Sequence, residues 1–162
     1  MENITETGTN SAIELMKFDA WCAGMNIALY PWQNEVAEKI FATNEKWVLY
    51  NGRRRSGKTF LAKLLVKYNP HKFVVFVPNY TMGRQNYGSE GLPFNLLHSG
   101  TTLNSMHFDT VIIDEDLGMP PEKLGELSRV ANKFIRLRSA EDDMLRYWQI
   151  NELKEEENDW DD

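Results

Sequence analysis

Four short apolar runs punctuate the chain, at residues 46–50, 72–77, 110–114 and 133–138. Each is rich in β-branched or aromatic residues, and 72–77 and 110–114 lack the polar alternation of a half-solvated strand. Runs of this kind are strands buried on both faces, as in a parallel sheet. The stretches between them carry apolar residues at helical spacing. Leu61, Leu64, Leu65 and Tyr68 follow the first run, and Leu124, Leu127 and Ala131 follow the third. Strands alternating with helices predict an α/β fold, a three-layer sandwich with a mainly parallel sheet and right-handed crossovers.

The N-terminal third is read in the same way. Residues 1–10 are polar and read as a loose arm. Ser11 with Glu14 has the spacing of a capping box, and Ile13, Met16, Ala20 and Trp21 form the apolar side of a helix that ends at Gly24. Pro31 suits the first position of a second helix, which Val36, Ile40 and Phe41 carry to about Thr43. Residues 78–100 hold six glycines and prolines and read as a loop with a helical turn or two, and 101–106 as a further short strand. After Pro120-Pro121-Glu122 a helix is expected to about Ala131. The strand 133–138 places Arg136 and Arg138 on one side, and a last helix carries Met144, Leu145 and Trp148. The domain assigned by this pattern is 11–150, with an acidic tail at 151–162.

Candidate chemistry gathers at two strand ends. After the first run comes Gly52-Arg53-Arg54-Arg55-Ser56-Gly57-Lys58-Thr59, which fits G-x-x-x-x-G-K-[ST] between a strand and a helix. Glycines let the backbone turn tightly so that successive N–H groups face phosphate oxygens, and the helix N-terminus adds its positive dipole end. In such a loop Lys58 reaches the β- and γ-phosphates and the Thr59 hydroxyl ligates Mg²⁺. The third run ends in Asp114-Glu115. Beyond a phosphate loop, the first acid of such a pair holds Mg²⁺ and the second polarises the attacking water. Alternation along a strand would point the two side chains to opposite sides.

Gln33 has two readings. Its amide can donate and accept, which suits N6 and N7 of adenine, with Tyr30 or Trp32 stacking on the base. Equally, Gln33 suits a helix start, with Tyr30 and Trp32 simply packed in the core.

Charge refines the picture. The net charge of −6 resides in residues 151–162, where seven acids face one lysine; the remainder balances. Between Lys46 and Ser89 there are nine lysines and arginines and no acid. Part of that charge suits a triphosphate. Lys63, Lys67, Lys72 and Arg84 read either as a solvated face or as a footprint for a nucleic-acid backbone. The tail carries Trp160 among its acids, as a disordered segment or a docking tail would. The single cysteine, Cys22, excludes an internal disulfide, and the three histidines show no metal spacing. With no apolar span and no signal-like start, the chain reads as soluble and intracellular.

Taken together, Leu29-Tyr30-Pro31-Trp32-Gln33, the 52–59 loop and Phe108-Asp109-Thr110-Val111-Ile112-Ile113-Asp114-Glu115 resemble the N-terminal ATPase motor of tailed-phage large terminases, over roughly 25–140. The resemblance implies a P-loop (RecA-like) ATPase with catalytic glutamate Glu115, in the host cytoplasm if viral. In that group the strand after the acidic pair inserts between the two motif-bearing strands. It further implies ATP and Mg²⁺ as cofactors, and cofactor contacts from Gln33, Trp32, Gly52, Ser56, Gly57, Lys58 and Thr59. One of Arg53, Arg54 and Arg55 would touch the γ-phosphate, and Ser139 would hold the place of the coupling motif. Double-stranded DNA, a homo-oligomeric ring or a portal, and a trans arginine from Arg129, Arg136 or Arg138 are the partners implied. The arginines of that strand can instead pair with Glu122, Glu126 or Asp142. The nuclease domain of large terminases has no counterpart pattern here, so cutting is expected from another protein or not at all. Two other classes fit the loop: a nucleotide-gated adaptor with little turnover, and a small P-loop kinase, for which an arginine-rich lid is not evident. A DExD-type helicase would need a second RecA-like domain.

Overall fold

In a computed structural model, residues 2–52, 56–96, 106–115 and 121–139 are described, with side chains from 12 onward except at 121 and 139. The elements in order are α1 (Glu2–Gly24), α2 (Pro31–Phe41), β1 (Trp47–Gly52), α3 (Lys58–Tyr68) and β2 (Phe73–Val77). Then come α4 (Tyr80–Asn86), a 3-10 turn (Gly88–Glu90), β3 (Asn95–Leu96), β4 (Phe108–Asp114), α5 (Pro121–Arg129) and β5 (Ala131–Ser139). The five strands form one sheet in the order β1-β5-β4-β2-β3, and every pairing is parallel. β5 therefore lies between β1 and β4, the insertion that the sequence resemblance implied.

The period of two along each strand sorts the core into two clusters. Val48, Phe73, Val75, Val77, Ile112, Ile135 and Leu137 face the side covered by α1, α2 and α3. Phe76, Val111, Ile113 and Phe134 face the other side with Leu127 of α5. Helices on both faces of a parallel sheet are compatible with the expected three-layer arrangement.

Several elements differ from the reading of the sequence. α1 begins at Glu2, so residues 2–10 are its first turns and Ser11 is not its start. Once a helix is held by its packed turns, propagation costs little, and a cap-like residue in its path does not end it. Its buried side also differs: Phe18 and Cys22 are buried, while Ile13 and Met16 are exposed. Phe18 wins because its ring stacks on Phe41 at 4.8 Å and meets Tyr68 edge-on at 5.1 Å, a larger aromatic area than the other side offers. Cys22 is a buried free thiol whose pKa burial pushes up, with Asp19 adding to the rise.

Ala131, expected at the end of α5, opens β5 instead. It pairs with Phe108, and the Phe108 N–H donates to the carbonyl of Val130 at 2.6 Å. Strand β3, on the edge beside β2, was read as loop: two residues carry no periodicity. The strand expected at 101–106 falls outside the described residues except Met106. The last helix and the acidic tail with Trp160 lie wholly outside them.

One half-buried tie comes from an unexpected residue. Lys133 of β5 sends its ammonium to the carbonyls of Lys39, Ile40 and Thr43 at 2.6, 2.7 and 2.9 Å. It caps the carbonyl end of α2, where the dipole favours a cation.

Candidate nucleotide site at the ends of β1 and β4

The loop that joins β1 to α3 is gripped by α2. Trp32 Nε1 donates to the Ser56 carbonyl at 3.1 Å, and Gln33 Nε2 donates to the Gly57 carbonyl at 3.0 Å. A trans peptide points its C=O and N–H in opposite directions. With those two carbonyls turned to α2, the N–H groups of Gly57 and Lys58 are turned away from it, as an anion cradle at a helix start requires. Gly57 has φ +95°, and a Cβ there would lie 2.8 Å from Gln33 Nε2, so glycine is needed twice over. Arg53, Arg54 and Arg55 lie outside the described residues.

Gln33 is 1% exposed, and both ends of its amide are used inside the chain. Besides its bond to Gly57, its Oε1 accepts from the Tyr30 N–H at 2.8 Å. Here Gln33 does the second of its two expected tasks, opening α2 and holding the loop. Reading adenine would require one of these bonds to be given up. Trp32 is likewise committed on one face, stacked on Tyr50 at 3.9 Å. Tyr30 remains 61% exposed with its ring beside Gly57, which makes it the better placed of the two rings to meet a base.

The two motifs meet at Thr59 and Asp114. Thr59, in the first turn of α3, donates its hydroxyl to Asp114 Oδ2 at 2.8 Å. Parity along β4 is responsible: Asp114 lies on the same side as Ile112, which faces α3. Lys58 is buried and bonds Ser56 Oγ at 3.3 Å. Tyr87, just past α4, donates its hydroxyl to the same Asp114 Oδ2 at 2.7 Å. Asp114 is 2% exposed, and burial raises its pKa against the lowering effect of the Tyr87 and Thr59 bonds and of Lys58. Tyr87 is pushed well above the ordinary phenol value by burial, and then by the charge and hydrogen bond of Asp114. Tyr87 was missed in the sequence because it sits in a glycine-rich stretch where one aromatic carries no signal.

Glu115 departs from the expected geometry. The strand ends at Asp114, and Glu115 adopts φ +71°, so the two acids diverge by a backbone turn and not by strand alternation. Its N–H donates to the Leu137 carbonyl of β5 at 2.7 Å, the last bond of the β4–β5 ladder before the turn. A left-handed conformation at a non-glycine costs about 1–3 kcal/mol and is found where surrounding structure imposes it.

The remaining candidates are dispersed. Ser139 ends β5 in register with Gly52. Arg138 Nε donates to Asn51 Oδ1 at 2.7 Å, which ties β5 to the end of β1, and Glu126 pairs with Lys123. Of the basic run, Lys63 and Lys67 both pair with Glu90, while Lys72 lies over the rings of Phe41 and Phe73.

Among the described residues no group of three or more His, Cys, Asp or Glu is placed to hold a metal, and no helix is long and apolar enough to cross a membrane. Magnesium at phosphate sites needs no such cluster. One or two protein oxygens plus phosphate oxygens and water suffice. The Thr59 hydroxyl and the buried Asp114 carboxylate are two hard oxygen donors in contact, and a cation would offset the cost of burying that charge. The residues fit the ion. The chain matches no protein-family model and no curated protein.

Proposed function

We propose that the chain binds Mg·ATP at the carboxyl ends of β1 and β4 and hydrolyses it, as a motor subunit of the terminase kind acting on double-stranded DNA. The observation that carries this reading is the Thr59–Asp114 hydrogen bond, which joins a glycine–lysine–threonine helix start to an acid 55 residues later. Support also comes from the sheet order and from the two loop carbonyls held by α2, which leave N–H groups turned outward. Open parallel sheets bind ligands outside the carboxyl ends of their strands.

In this reading the N–H groups at the start of α3 and Lys58 bind the phosphates, and Thr59 and Asp114 hold the metal. The ion, when bound, neutralises charge on the phosphate oxygens. Glu115, turned out of the strand, orients the attacking water. One of Arg53–Arg55 supplies further positive charge at the γ-phosphate.

The test is turnover with and without double-stranded DNA, together with two variants. Lys58→Ala should abolish nucleotide binding, since a point charge at the phosphates is not replaced by a methyl group. Glu115→Gln should keep ATP bound while slowing hydrolysis by orders of magnitude. Wild-type affinity in Lys58→Ala would remove the site. Binding without turnover in the wild type, with or without DNA, would leave the nucleotide-gated adaptor.

A further inference from the structure

We propose that Tyr87 is the positioning residue of the metal-binding carboxylate: its hydroxyl sets the rotation of Asp114, and through it the affinity of the site for the divalent cation. The inference rests on the Mg·ATP reading above, and deepens it.

Tyr87 is the largest of the fully buried side chains among the described residues. A phenol hydroxyl in such a place is costly unless bonded, and here its bond goes to one atom, Asp114 Oδ2. If the site asked only for volume, phenylalanine would fill it without that cost. Thr59 donates to the same oxygen, so two hydroxyls from different segments converge on one edge of the carboxylate. The two differ in what they are free to do. The Thr59 hydroxyl is itself a candidate ligand, and has to serve both the cation and Asp114. The Tyr87 hydroxyl, among the described residues, has Asp114 alone to serve.

The backbone around Tyr87 explains why it is a firm reference point. Its N–H donates to Gly83 at 2.8 Å, and its carbonyl accepts from Glu90 at 3.1 Å and Leu92 at 2.9 Å. Gly83 lets this turn pack closely, since a Cβ there would meet the Phe94 ring at 2.3 Å. Glu90 then clasps Lys63 at 2.5 Å and Lys67 at 2.9 Å, both on α3, the helix whose first turn carries Lys58 and Thr59. Tyr87 is thus held relative to α3 by contacts that do not involve Asp114. The ring sets where the carboxylate points relative to Thr59. Groups that orient a metal-ligating carboxylate in this way typically contribute 10–100-fold in metal affinity.

The experiment uses the full chain, a fluorescent ATP analogue and a Mg²⁺ titration. For Tyr87→Phe the Mg²⁺ concentration at half-saturation should rise about 10–100-fold, with analogue binding in EDTA within about twofold of wild type. Combining Tyr87→Phe with Asp114→Asn should add nothing to Asp114→Asn alone, because the hydroxyl acts through that carboxylate. Thermal melting without nucleotide separates a packing role. A variant that melts lower yet keeps the wild-type Mg²⁺ dependence overturns the proposal, and so does an additive double variant. A wild type that binds no analogue removes the Mg·ATP reading and this inference with it. A wild type that binds with Mg²⁺ dependence, beside an unchanged Tyr87→Phe, removes this inference alone.

Discussion

Replacing Gln33 with alanine asks whether this residue serves the fold or the ligand. The side chain is 1% exposed and bridges Tyr30 N–H at 2.8 Å to the Gly57 carbonyl at 3.0 Å. Alanine leaves both backbone groups without that partner and opens a space between α2 and the loop. Each lost hydrogen bond contributes about 0.5–1.5 kcal/mol, and a buried group left unsatisfied adds to the loss. A destabilisation of about 2–3 kcal/mol follows, which in a chain of this size lowers the melting temperature by roughly 4–12 °C. The assay is thermal or urea unfolding of the nucleotide-free protein, paired with ATP and GTP binding. On the geometry described, stability falls, and ATP and GTP weaken together because the loop loses its support. An unchanged melting temperature with selective loss of ATP preference would refute that reasoning. It would return Gln33 to adenine, whose N6 donor guanine replaces with an acceptor.

Three other outcomes follow from single contacts. Glu115→Gly should stabilise the nucleotide-free protein by about 1 kcal/mol or more, because φ +71° is strained for glutamate and free for glycine, while turnover is lost; an unaltered melting temperature would show that the turn carries no strain. Lys133→Met should cost about 1.5–3 kcal/mol in urea unfolding, the loss of a charge-assisted cap on three carbonyls of the α2 end, and a neutral result would mean that water replaces it. Glu90, whose pKa the Lys63 and Lys67 hydrogen bonds lower to about 2, stabilises the fold above its unfolded value of 4.5, and that contribution fades as pH falls from there towards 2. The stability gap between wild type and Glu90→Gln should therefore close over that window and shrink with added salt; a gap independent of pH would remove the ion pairs as its source.

Local pattern was enough for what lies within a short window. Apolar runs marked four of the five described strands, most plainly 72–77 and 110–114, where burial on both faces removes the polar alternation. The glycine, lysine and threonine spacing located the loop and the start of α3. The two motifs were expected to share one Mg²⁺ through Thr59 and Asp114, whereas the side of β4 that α3 covers was set by the fold.

Choices between locally equivalent partners were made only as the elements packed together. α1 has two usable sides, and Phe18 was selected by the rings of Phe41 and Tyr68, which arrive from other helices. Gln33 has one amide and two possible tasks, and the Gly57 carbonyl claimed it. Ala131 suits a helix end or a strand start, and pairing with Phe108 settled it. Glu115 keeps the last ladder bond to β5 through its N–H, yet its backbone turns to φ +71°, which strand alternation does not foretell. Tyr87 carries no local pattern at all: a hydroxyl becomes part of a site only when the chain folds a buried carboxylate against it, 27 residues further on.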